Sequence, residues 1–554
     1  MNNIKKLVIK GFKIFEDFEI EFNNGMNILI GDNESGKSTI LEAIDIVLNK
    51  KYANYDKYIV KEILNKKIVE TFEENKSFSI LPKVEIYLFL NLDKTCDIDY
   101  EFKGEIKIDN VKYEDYGIKF TCQFNDDFRD DLMSAILEGK IPYDYYDMTW
   151  ETFQGKPYNS LRKPIKYLSI DNSKVDISNT YNYYNRNLYY NKYDNLERLK
   201  ISNDFRSEIN GILEKVGANK LNDNSEFGID NRKVILENIL TVLENKISLD
   251  NKGKGRENLI KTEIALNKST DKLNIISIEE PENHLSHINL RRMLENIKNV
   301  NNDDNPTQII VTTHNSLIVN TLNLSNVIWI SDRKAKSLKS INNTSEGKNA
   351  IKFFEKADNL NLLQFILSPK VILVEGPTEY LILQKAYREI VDDLKKEQNK
   401  GQEIQNIENE GIEIISLGGV GYNNYLEIAK TLNKKVAILT DNDFITNENK
   451  LADISQFNEE NDGIGVKIFT DGDKNNWTWE VSLYNLNKEL LESKIPLQKG
   501  SKYSYKCNNG IEYTGCLGKM LNQKTDIAYL LSTETDIKLI YPDYFKECVE
   551  WIRQ

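Results

Sequence analysis

Four carboxylates stand directly after two short apolar runs in the second half of the chain. Glu375 and Glu379 follow the apolar run 371–374, and Asp441 and Asp443 follow a similar run that ends at position 440. Short runs rich in β-branched residues are typical of buried strands, and open α/β sheets place their chemistry where such strands end. Carboxylates that meet at such a point need a cation between them. All-oxygen ligation predicts Mg²⁺ or Mn²⁺.

A glycine-rich segment near the start of the chain has the spacing of a phosphate-binding loop. The segment from Gly31 to Ser38 reads Gly-Asp-Asn-Glu-Ser-Gly-Lys-Ser, follows an apolar run and opens a helical pattern, which is the context that this motif requires. Backbone N–H groups and the positive end of the helix favour phosphate. The segment predicts ATP binding, with Lys37 on the β- and γ-phosphates and the Ser38 hydroxyl on Mg²⁺. The expected nucleotide contacts are Asn33, Glu34, Ser35, Gly36, Lys37, Ser38 and Thr39.

Two acids and a histidine follow two further apolar runs. Glu279 and Glu280 end the run 273–278, and His314 ends the run 306–313. A P-loop hydrolase needs one acid for the magnesium shell and a second group that orients or deprotonates the attacking water. We therefore expect Glu279 to hold magnesium, Glu280 to act on the water and His314 to sense the γ-phosphate. A lone histidine after a strand is usually structural, so the last role depends on the P-loop and the acid pair.

Length, charge and cysteine usage limit the class of protein. A chain of 554 residues is too long for one core, so two to four domains are expected. No apolar run is long enough to cross a membrane and no signal-peptide pattern is present, which predicts a cytoplasmic protein. The five scattered cysteines fit reduced thiols in that compartment. A net charge of −13 argues against a broadly basic surface but leaves room for a local track that binds nucleic acid.

The region between the P-loop and the acid pair carries weaker patterns. Strand-like stretches at 84–90, 105–108 and 118–124 predict an antiparallel lobe beside the nucleotide site. The tract 181–190, rich in tyrosine and asparagine, is interpreted as a polar surface segment, with a base-stacking platform for single strands as the alternative.

Helical apolar spacing continues beyond that tract. The stretches 205–216 and 231–249 show this spacing, which predicts a helical insertion over about 180–250. Such an insertion would serve as an amphipathic or dimerisation arm. Sustained heptads are absent from the sequence, so a long coiled coil is not expected.

The order of P-loop, acid pair and histidine resembles that of ATP-binding cassette ATPases of the SMC and RecF type. The segment 253–259, Gly-Lys-Gly-Arg-Glu-Asn-Leu, is similar to their signature loop but lacks the usual Leu-Ser-Gly-Gly-Gln wording. Glu279 stands where many members carry Asp. The resemblance implies an α/β P-loop ATPase domain that pairs with a second protomer.

The run Glu-Glu-Pro-Glu at 279–282 is a variant found in the overcoming-lysogenisation-defect (OLD) nucleases, which join this ATPase to a C-terminal Toprim domain. The segments 374–379 and 439–443 resemble the two acidic Toprim motifs, and the segments around Glu480 and Lys524 resemble the later glutamate and lysine of that fold. The resemblance implies an α/β fold class for the whole chain. The implied organisation is an SMC/RecF-like ATPase domain over 1–345, which contains the helical insertion, then a linker over 346–367 and a Toprim domain over 368–554.

This resemblance implies a metal-dependent DNA endonuclease that nicks or cleaves double-stranded DNA under the control of ATP binding or hydrolysis. Lys524 would offset charge on the scissile phosphate. The implied partners are DNA, a second or further copies of the chain and, by analogy with anti-phage members of similar size and layout, a separate helicase-like protein. The implied metal ligands are Glu375, Glu379, Asp441, Asp443 and Glu480.

Two other functions remain open from the residues alone. One is an ATP-driven DNA-binding clamp or repair mediator in which the Toprim-like part is only a scaffold, which would not need acids at both strand ends. The other is a topoisomerase or primase, for which no cleavage domain or zinc domain is recognisable. Candidate DNA contacts are Lys252, Lys254, Arg256 and the cluster from Arg333 to Lys339, although solvated surface is the favoured interpretation for each.

Overall fold

The computed structural model divides the chain into two compact units. One unit is formed by Met1–Leu322 and Asn326–Lys336, and the other by Asn323–Ser325 and Ser337–Gln554. None of the helices in the described ranges is both long enough and apolar enough to cross a membrane. The structure describes residues 2–53, 57–77, 80–93, 99–129, 141–158, 163–172, 180–216, 220–222, 225–226, 235–266, 273–301, 307–356, 361–398, 407, 409–419, 421–497, 503–507, 510–534 and 536–554.

Among its described residues, the first unit contains two large sheets and two small two-stranded sheets. Its strands are β1 (Asn3–Phe12), β2 (Phe15–Glu21), β3 (Met26–Gly31), β4 (Val84–Asn91), β5 (Lys103–Ile108), β6 (Val111–Phe124), β7 (Tyr146–Thr152), β8 (Tyr167–Asp171), β9 (Lys220–Asn222), β10 (Ser225–Glu226), β11 (Leu243–Glu244), β12 (Ile247–Ser248), β13 (Ile275–Glu279), β14 (Gln308–Thr312), β15 (Val327–Ser331) and β16 (Lys334–Ser337). Its helices are α1 (Lys37–Asn49), α2 (Ile59–Ile63), α3 (Lys66–Asn75), α4 (Thr180–Lys192), α5 (Asn195–Val216), α6 (Lys254–Leu266), α7 (His287–Asn301) and α8 (Ser316–Thr321).

One large sheet is antiparallel, in the order β2-β1-β4-β6-β5 with β7 beside β6. The other has the order β16-β15-β3-β14-β13-β8, and its strands β15, β3, β14, β13 and β8 run parallel. Helix α1 is packed between them, because Ile40, Ile44 and Val47 share one core with Leu29 of the parallel sheet and Phe120 of the antiparallel sheet. The predicted antiparallel lobe and its three strands are confirmed.

The second unit is built on a four-stranded parallel sheet in the order β18-β17-β19-β20. Continuous apolar runs form these strands because both faces of a parallel sheet are covered by helices. Its strands are β17 (Lys370–Val374), β18 (Ile412–Ser416), β19 (Lys435–Leu439), β20 (Val466–Phe469), β21 (Ser504–Lys506) and β22 (Glu512–Thr514). Its helices are α9 (Ser345–Lys356), α10 (Leu362–Leu367), α11 (Pro377–Gln398), α12 (Asn423–Leu432), α13 (Lys450–Glu460), α14 (Trp479–Leu486), α15 (Lys488–Lys494), α16 (Gly515–Asn522), α17 (Lys524–Thr533) and α18 (Asp543–Arg553).

The segment expected to be a linker, 346–367, is helical over its described residues and belongs to the second unit. Phe354 on α9 and Phe365 on α10 both contact Tyr425, with ring centroids 5.0 Å and 5.1 Å apart. These aromatic contacts bury the segment against α12, so its described part packs in a core instead of forming a free connection.

The tract 181–190 was expected to be a polar surface segment, but its described side chains, 184–190, are buried or half-buried. It belongs to α4, in which Tyr184 and Tyr189 are buried. The hydroxyl of Tyr184 donates to the carbonyl of Lys261 at 3.2 Å. Tyr184 can bury its ring because its hydroxyl has this partner, which a count of polar residues does not reveal, whereas the buried hydroxyl of Tyr189 has no hydrogen-bond partner among the described residues. The buried rings cannot form a base-stacking platform.

The helix expected over 231–249 is wrong for the described residues 235–249. These form a short 3₁₀ turn, Leu236–Asn238, and the hairpin of β11 and β12. Asn245 and Lys246 join the two strands with φ of 52° and 67°. Two left-handed residues in a two-residue loop are typical of the type I′ turn. The turn residues therefore favour a hairpin here, although the apolar spacing predicted a helix.

Candidate nucleotide site and candidate carboxylate site

The P-loop of the first unit connects β3 to α1. Gly36 has a φ of 102°, and a Cβ at this position would lie 2.3 Å from Cζ of Phe15, so glycine is required here. The Nζ of Lys37 donates to the carbonyl oxygens of Gly31 at 2.9 Å and Asp32 at 2.8 Å. Burial lowers the pKa of Lys37, and nearby carboxylates partly offset this effect. The loop thus holds a buried ammonium at the start of a helix, an arrangement suited to phosphate.

The other predicted nucleotide contacts lie along the same loop. Asn33, Glu34 and Ser38 are exposed, Ser35 is half-buried and Thr39 is buried. The exposed Ser38 hydroxyl at the start of α1 is accessible to a cation or a phosphate.

The predicted acid pair lies at the same sheet edge as the P-loop. In the parallel register, Glu279 pairs with Thr312, and Thr312 pairs with Leu29 near the end of β3. Glu280 has a φ of 44°, and its backbone N–H donates to the carbonyl of Thr312 at 3.0 Å. This turn therefore directs two adjacent carboxylates from the end of a buried strand.

His314 lies beside the second acid of the pair. Its Nε2 is 3.7 Å from Oε1 of Glu280, and Asn283 donates to Oε2 of the same carboxylate at 2.6 Å. Burial and the neighbouring charge of Lys37 lower the pKa of His314. The imidazole is therefore neutral at neutral pH and can act as a hydrogen-bonding group near a phosphate.

Glu282 is a residue of this site that sequence reasoning missed. Its Oε1 accepts hydrogen bonds from Oγ1 of Thr313 at 2.7 Å and from the backbone N–H of His314 at 3.0 Å. Its buried Oε2 has no hydrogen-bond partner among the described residues. Glu282 thus ties the acid turn to the histidine turn. In the sequence, the only feature that marks Glu282 is its place as the third acid of the run Glu-Glu-Pro-Glu.

Several of the basic residues considered as DNA contacts form ion pairs with acids. Lys252 and Arg256 both pair with Glu244, and the Arg256 pair has a distance of 2.7 Å. Arg333 lies 2.9 Å from Glu16. These pairs favour the interpretation as solvated surface.

In the second unit, two neighbouring strands deliver carboxylates to one edge of the parallel sheet. Val374 at the end of β17 is in register with Leu439 at the end of β19, so Glu375 and Asp441 emerge close together. Glu379 lies in the first turn of α11. Its Oε2 accepts from the N–H of Gly376 and from the hydroxyl of Thr378, both at 2.9 Å.

Glu480 and Lys524 form the buried side of this carboxylate site. Glu480 lies in the first turn of α14, has no exposed surface, and its Oε1 is 2.8 Å from Nζ of Lys524 at the start of α17. Its Oε2 has no hydrogen-bond partner in the part of the chain that the structure describes. The Oδ1 of Asp441 accepts from the backbone N–H of Trp479 at 2.8 Å, which holds that carboxylate against the same helix.

Glu375 and Asp443 form the open side of the site. Their side chains are 38 % and 37 % exposed, and a second lysine, Lys450, lies between them. Its Nζ is 2.6 Å from Oδ2 of Asp443 and 3.5 Å from Oε1 of Glu375. The hydroxyl of Thr440 donates to the same Glu375 oxygen. Sequence reasoning identified neither Lys450 nor Thr440.

Mutual repulsion marks this group of acids as one electrostatic unit. The pKa of Asp441 is raised well above its ordinary value, first by burial and then by the charges of Glu480, Glu375 and Glu379. Burial also raises the pKa of Glu379. Burial has the largest single effect on the pKa of Lys524 and lowers it, but the charge and hydrogen bond of Glu480 and the charges of Asp441 and Glu379 together raise this pKa above its ordinary value.

The donor set suits a hard divalent cation. It is composed of carboxylate and hydroxyl oxygens, and it includes Oε2 of Glu480, a buried oxygen that has no hydrogen-bond partner among the described residues. Repulsion between the carboxylates raises the pKa of Asp441, and a bound divalent cation would relieve this repulsion. Within the described ranges, no three Asp, Glu, His or Cys side chains stand in ready-made metal-ligand geometry. Binding a cation would therefore require side-chain movements at this edge of the sheet.

Comparison with known proteins assigns both units. Residues 3–319 match the family described as AAA ATPase domain, and residues 366–443 match the family described as overcoming lysogenization defect protein-like, TOPRIM domain. The chain therefore belongs to the AAA ATPase domain family and joins that domain to an OLD-like Toprim domain. The expected α/β fold class is confirmed.

Two endonucleases are similar to this chain over most of its length. The endonuclease GajA of Bacillus cereus strain HuB5-5 is 23 % identical over 529 residues, which cover 80 % of this chain and 74 % of that protein. The endonuclease GajA of Bacillus cereus strain VD045 is 21 % identical over 486 residues, with coverage of 80 % and 75 %. Both relatives are GajA endonucleases, so the resemblance to the OLD family that the sequence motifs predicted is confirmed.

A solved structure is similar over a smaller part. The Smc head domain with an extended coiled coil from Pyrococcus furiosus is 14 % identical and covers 64 % of this chain and 99 % of that chain, with a TM-score of 0.33. The family assignment depends on the sequence matches and not on this superposition.

Proposed function

We propose that this chain is a metal-dependent DNA endonuclease whose activity is regulated by ATP in its ATPase domain. The observation that carries the proposal is the convergence of Glu375, Glu379, Asp441 and Glu480 beside Lys524 in a Toprim unit. A structural scaffold has no need of four carboxylates at one edge of a sheet, three of which raise the pKa of the fourth, Asp441. The similarity to two GajA endonucleases supports the same reaction class.

The carboxylates are proposed to hold one or two Mg²⁺ or Mn²⁺ ions. Glu375, Glu379, Asp441, Asp443 and Glu480 would supply the oxygens. A bound cation would polarise the phosphodiester and lower the pKa of a nearby water. The side chains themselves would bind and orient the phosphate, because the ends of β17 and β19 and the first turns of α11 and α14 hold them at one edge of the sheet.

Lys524 is proposed to neutralise charge that develops on the scissile phosphate. Its raised pKa keeps it protonated at neutral pH, and Glu480 holds its ammonium at 2.8 Å. A positioned cation is worth most where charge develops in the transition state. Glu480 thus has a positioning role towards Lys524 as well as a role as a ligand.

The ATPase domain is proposed to control this reaction. Lys37 and Ser38 would bind ATP and Mg²⁺, Glu279 would complete the magnesium shell, and Glu280 with His314 would act at the γ-phosphate. ATP can regulate cleavage only by favouring one conformation of the chain over another. Either activation or inhibition is compatible with that principle, and comparison of cleavage with and without ATP distinguishes them.

The assembly and setting are also proposals. We infer that DNA is the substrate and that the chain acts as a homodimer or higher homo-oligomer in the cytoplasm. The similarity to GajA and the layout of the chain support a role in anti-phage defence of the Gabija type, beside a helicase-like partner protein.

Plasmid nicking tests the proposal. The wild type, Lys37→Ala and Asp441→Ala would be incubated with supercoiled DNA and Mg²⁺ or Mn²⁺, at zero and millimolar ATP. We expect cleavage by the wild type, none by Asp441→Ala, and loss of ATP dependence in Lys37→Ala. ATP-dependent DNA binding without cleavage under any of these conditions would favour the clamp function instead.

A further inference from the structure

Lys450 is brought to the open side of the carboxylate site by a tight turn. The backbone N–H groups of Thr446 and Asn447 donate to the carbonyl of Asp443 at 2.8 Å and 2.9 Å. This turn reverses the chain after β19, so that α13 begins with Lys450 directly beside Asp443. The position of the lysine is thus built into the local fold.

The ammonium of Lys450 contacts three side chains of the site. Its Nζ lies 2.6 Å from Oδ2 of Asp443, 3.2 Å from Oγ1 of Thr440 and 3.5 Å from Oε1 of Glu375. Two of these residues come from different strand ends. Lys450 therefore joins the β17 edge to the β19 edge at the most exposed part of the site.

The surroundings distinguish Lys450 from an ordinary surface lysine. Its side chain is only 20 % exposed, whereas the carboxylates that it contacts are 38 % and 37 % exposed. A lysine that loses exposure to bridge two carboxylates gives up side-chain entropy, and a surface ion pair would offset little of that cost. On the buried side of the site, Lys524 pairs with Glu480 in the same way, so the buried side and the open side each contain one lysine.

We propose that Lys450 is a second functional lysine of the carboxylate site, which positions Glu375 and Asp443 and competes with divalent cations for their oxygens. The inference rests on the proposed function of these carboxylates. A cation that takes oxygens from both residues must share them with the ammonium or displace it. A displaced ammonium remains at the exposed mouth of the site, where it can contact a DNA phosphate.

The charge of Lys450 sets the expected sign of its effect on metal binding. Removing a unit positive charge next to the ligands removes repulsion towards an incoming divalent cation. We expect Lys450→Met to bind Mn²⁺ about tenfold more tightly than the wild type, and to cleave DNA about 10- to 100-fold more slowly at saturating Mn²⁺. Lys450→Arg keeps the charge and should lie within about threefold of the wild type in both measurements.

Mn²⁺ titration by isothermal calorimetry, followed by single-turnover cleavage, tests the inference. Lys474→Met is the matched control, since Lys474 lies over the ring of Phe444 at 4.7 Å and is exposed. Unchanged Mn²⁺ affinity and cleavage in Lys450→Met would overturn the inference. Weaker Mn²⁺ binding together with a lower melting temperature would also overturn it, because Lys450 would then be only structural.

The same experiment separates this inference from the proposed function. If Asp441→Asn leaves both Mn²⁺ binding and cleavage intact, the proposed function fails, whatever Lys450 does. If Asp441→Asn abolishes cleavage while Lys450→Met behaves as the wild type, only the inference about Lys450 fails.

Discussion

The Nζ of Lys524 lies 2.8 Å from Oε1 of Glu480, a carboxylate with no exposed surface. Removing one partner of a buried ion pair leaves the other charge without compensation, which usually costs about 3–5 kcal/mol. Lys524 is itself 36 % exposed, so we expect Lys524→Met to lower the free energy of unfolding by about 3 kcal/mol, the lower end of that range. Urea denaturation in EDTA measures the change.

The control for this prediction is Lys488→Met, since Lys488 is an exposed lysine at the start of α15. The double variant Lys524→Met with Glu480→Gln should recover most of the lost stability, because the buried side chain at position 480 is then neutral and needs no cationic partner. Equal effects of Lys488→Met and Lys524→Met would show that the pair is not stabilising.

Asp441 should show the opposite effect on stability. Its pKa is raised by burial and by three neighbouring carboxylates, so its ionised form is unfavourable in the folded chain. We expect Asp441→Asn to raise the free energy of unfolding in EDTA at pH 8, because the amide removes a buried charge that three carboxylates repel. An amide can still accept the hydrogen bond from Trp479, so packing is preserved.

The gain in the free energy of unfolding of Asp441→Asn should depend on pH in one direction. A carboxyl whose pKa is raised on folding favours the folded state when it is protonated, and this advantage is lost as the pH rises through the folded pKa. The difference between Asp441→Asn and the wild type should therefore be small near pH 4 and grow towards pH 8. Thermal melts across this range measure it, and a difference that shrinks with rising pH would contradict the assigned environment.

Glu282 is expected to control recognition of the γ-phosphate. Its Oε1 holds the backbone of His314, so Glu282→Ala should release the histidine turn from the acid turn. We expect the preference for a slowly hydrolysed ATP analogue over ADP to fall about five- to tenfold, since one hydrogen bond contributes roughly 1 kcal/mol. Glu282→Gln retains an acceptor oxygen and should stay within about twofold. Calorimetric titration measures both affinities, and identical behaviour of the two variants would refute the role.

The two motifs that could be predicted from sequence have strictly local determinants. The P-loop needs only a strand, a glycine-rich turn and a helix in succession, and Gly36 with its φ of 102° meets that local requirement. The strand ends at Glu375 and Asp441 follow from continuous apolar runs. Parallel register then brings them together, because adjacent buried strands in an open sheet end at one edge.

Lys450 and Glu282 could not be predicted because their roles depend on contacts between segments. Lys450 reaches Glu375, 75 positions away, only after the turn at Asp443 has formed. Glu282 contacts the histidine turn through a hydrogen bond between residues 32 positions apart. Neither contact leaves a periodic pattern in the sequence. The surface position expected for the tract 181–190 was wrong for the related reason that composition does not show which tyrosines, such as Tyr184, pack against another segment.

Single-turnover cleavage of plasmid DNA at saturating Mn²⁺ tests the central claim most directly, by comparing Asp441→Asn with Asp473→Asn. Both substitutions replace a carboxylate by an amide of the same shape in the same unit, and Asp473 is exposed on a loop outside the carboxylate site. We expect Asp441→Asn to cleave at least about 100-fold more slowly than the wild type, and Asp473→Asn to remain within about threefold. Equal cleavage by the two variants would contradict the assignment of the Toprim carboxylates as the catalytic centre.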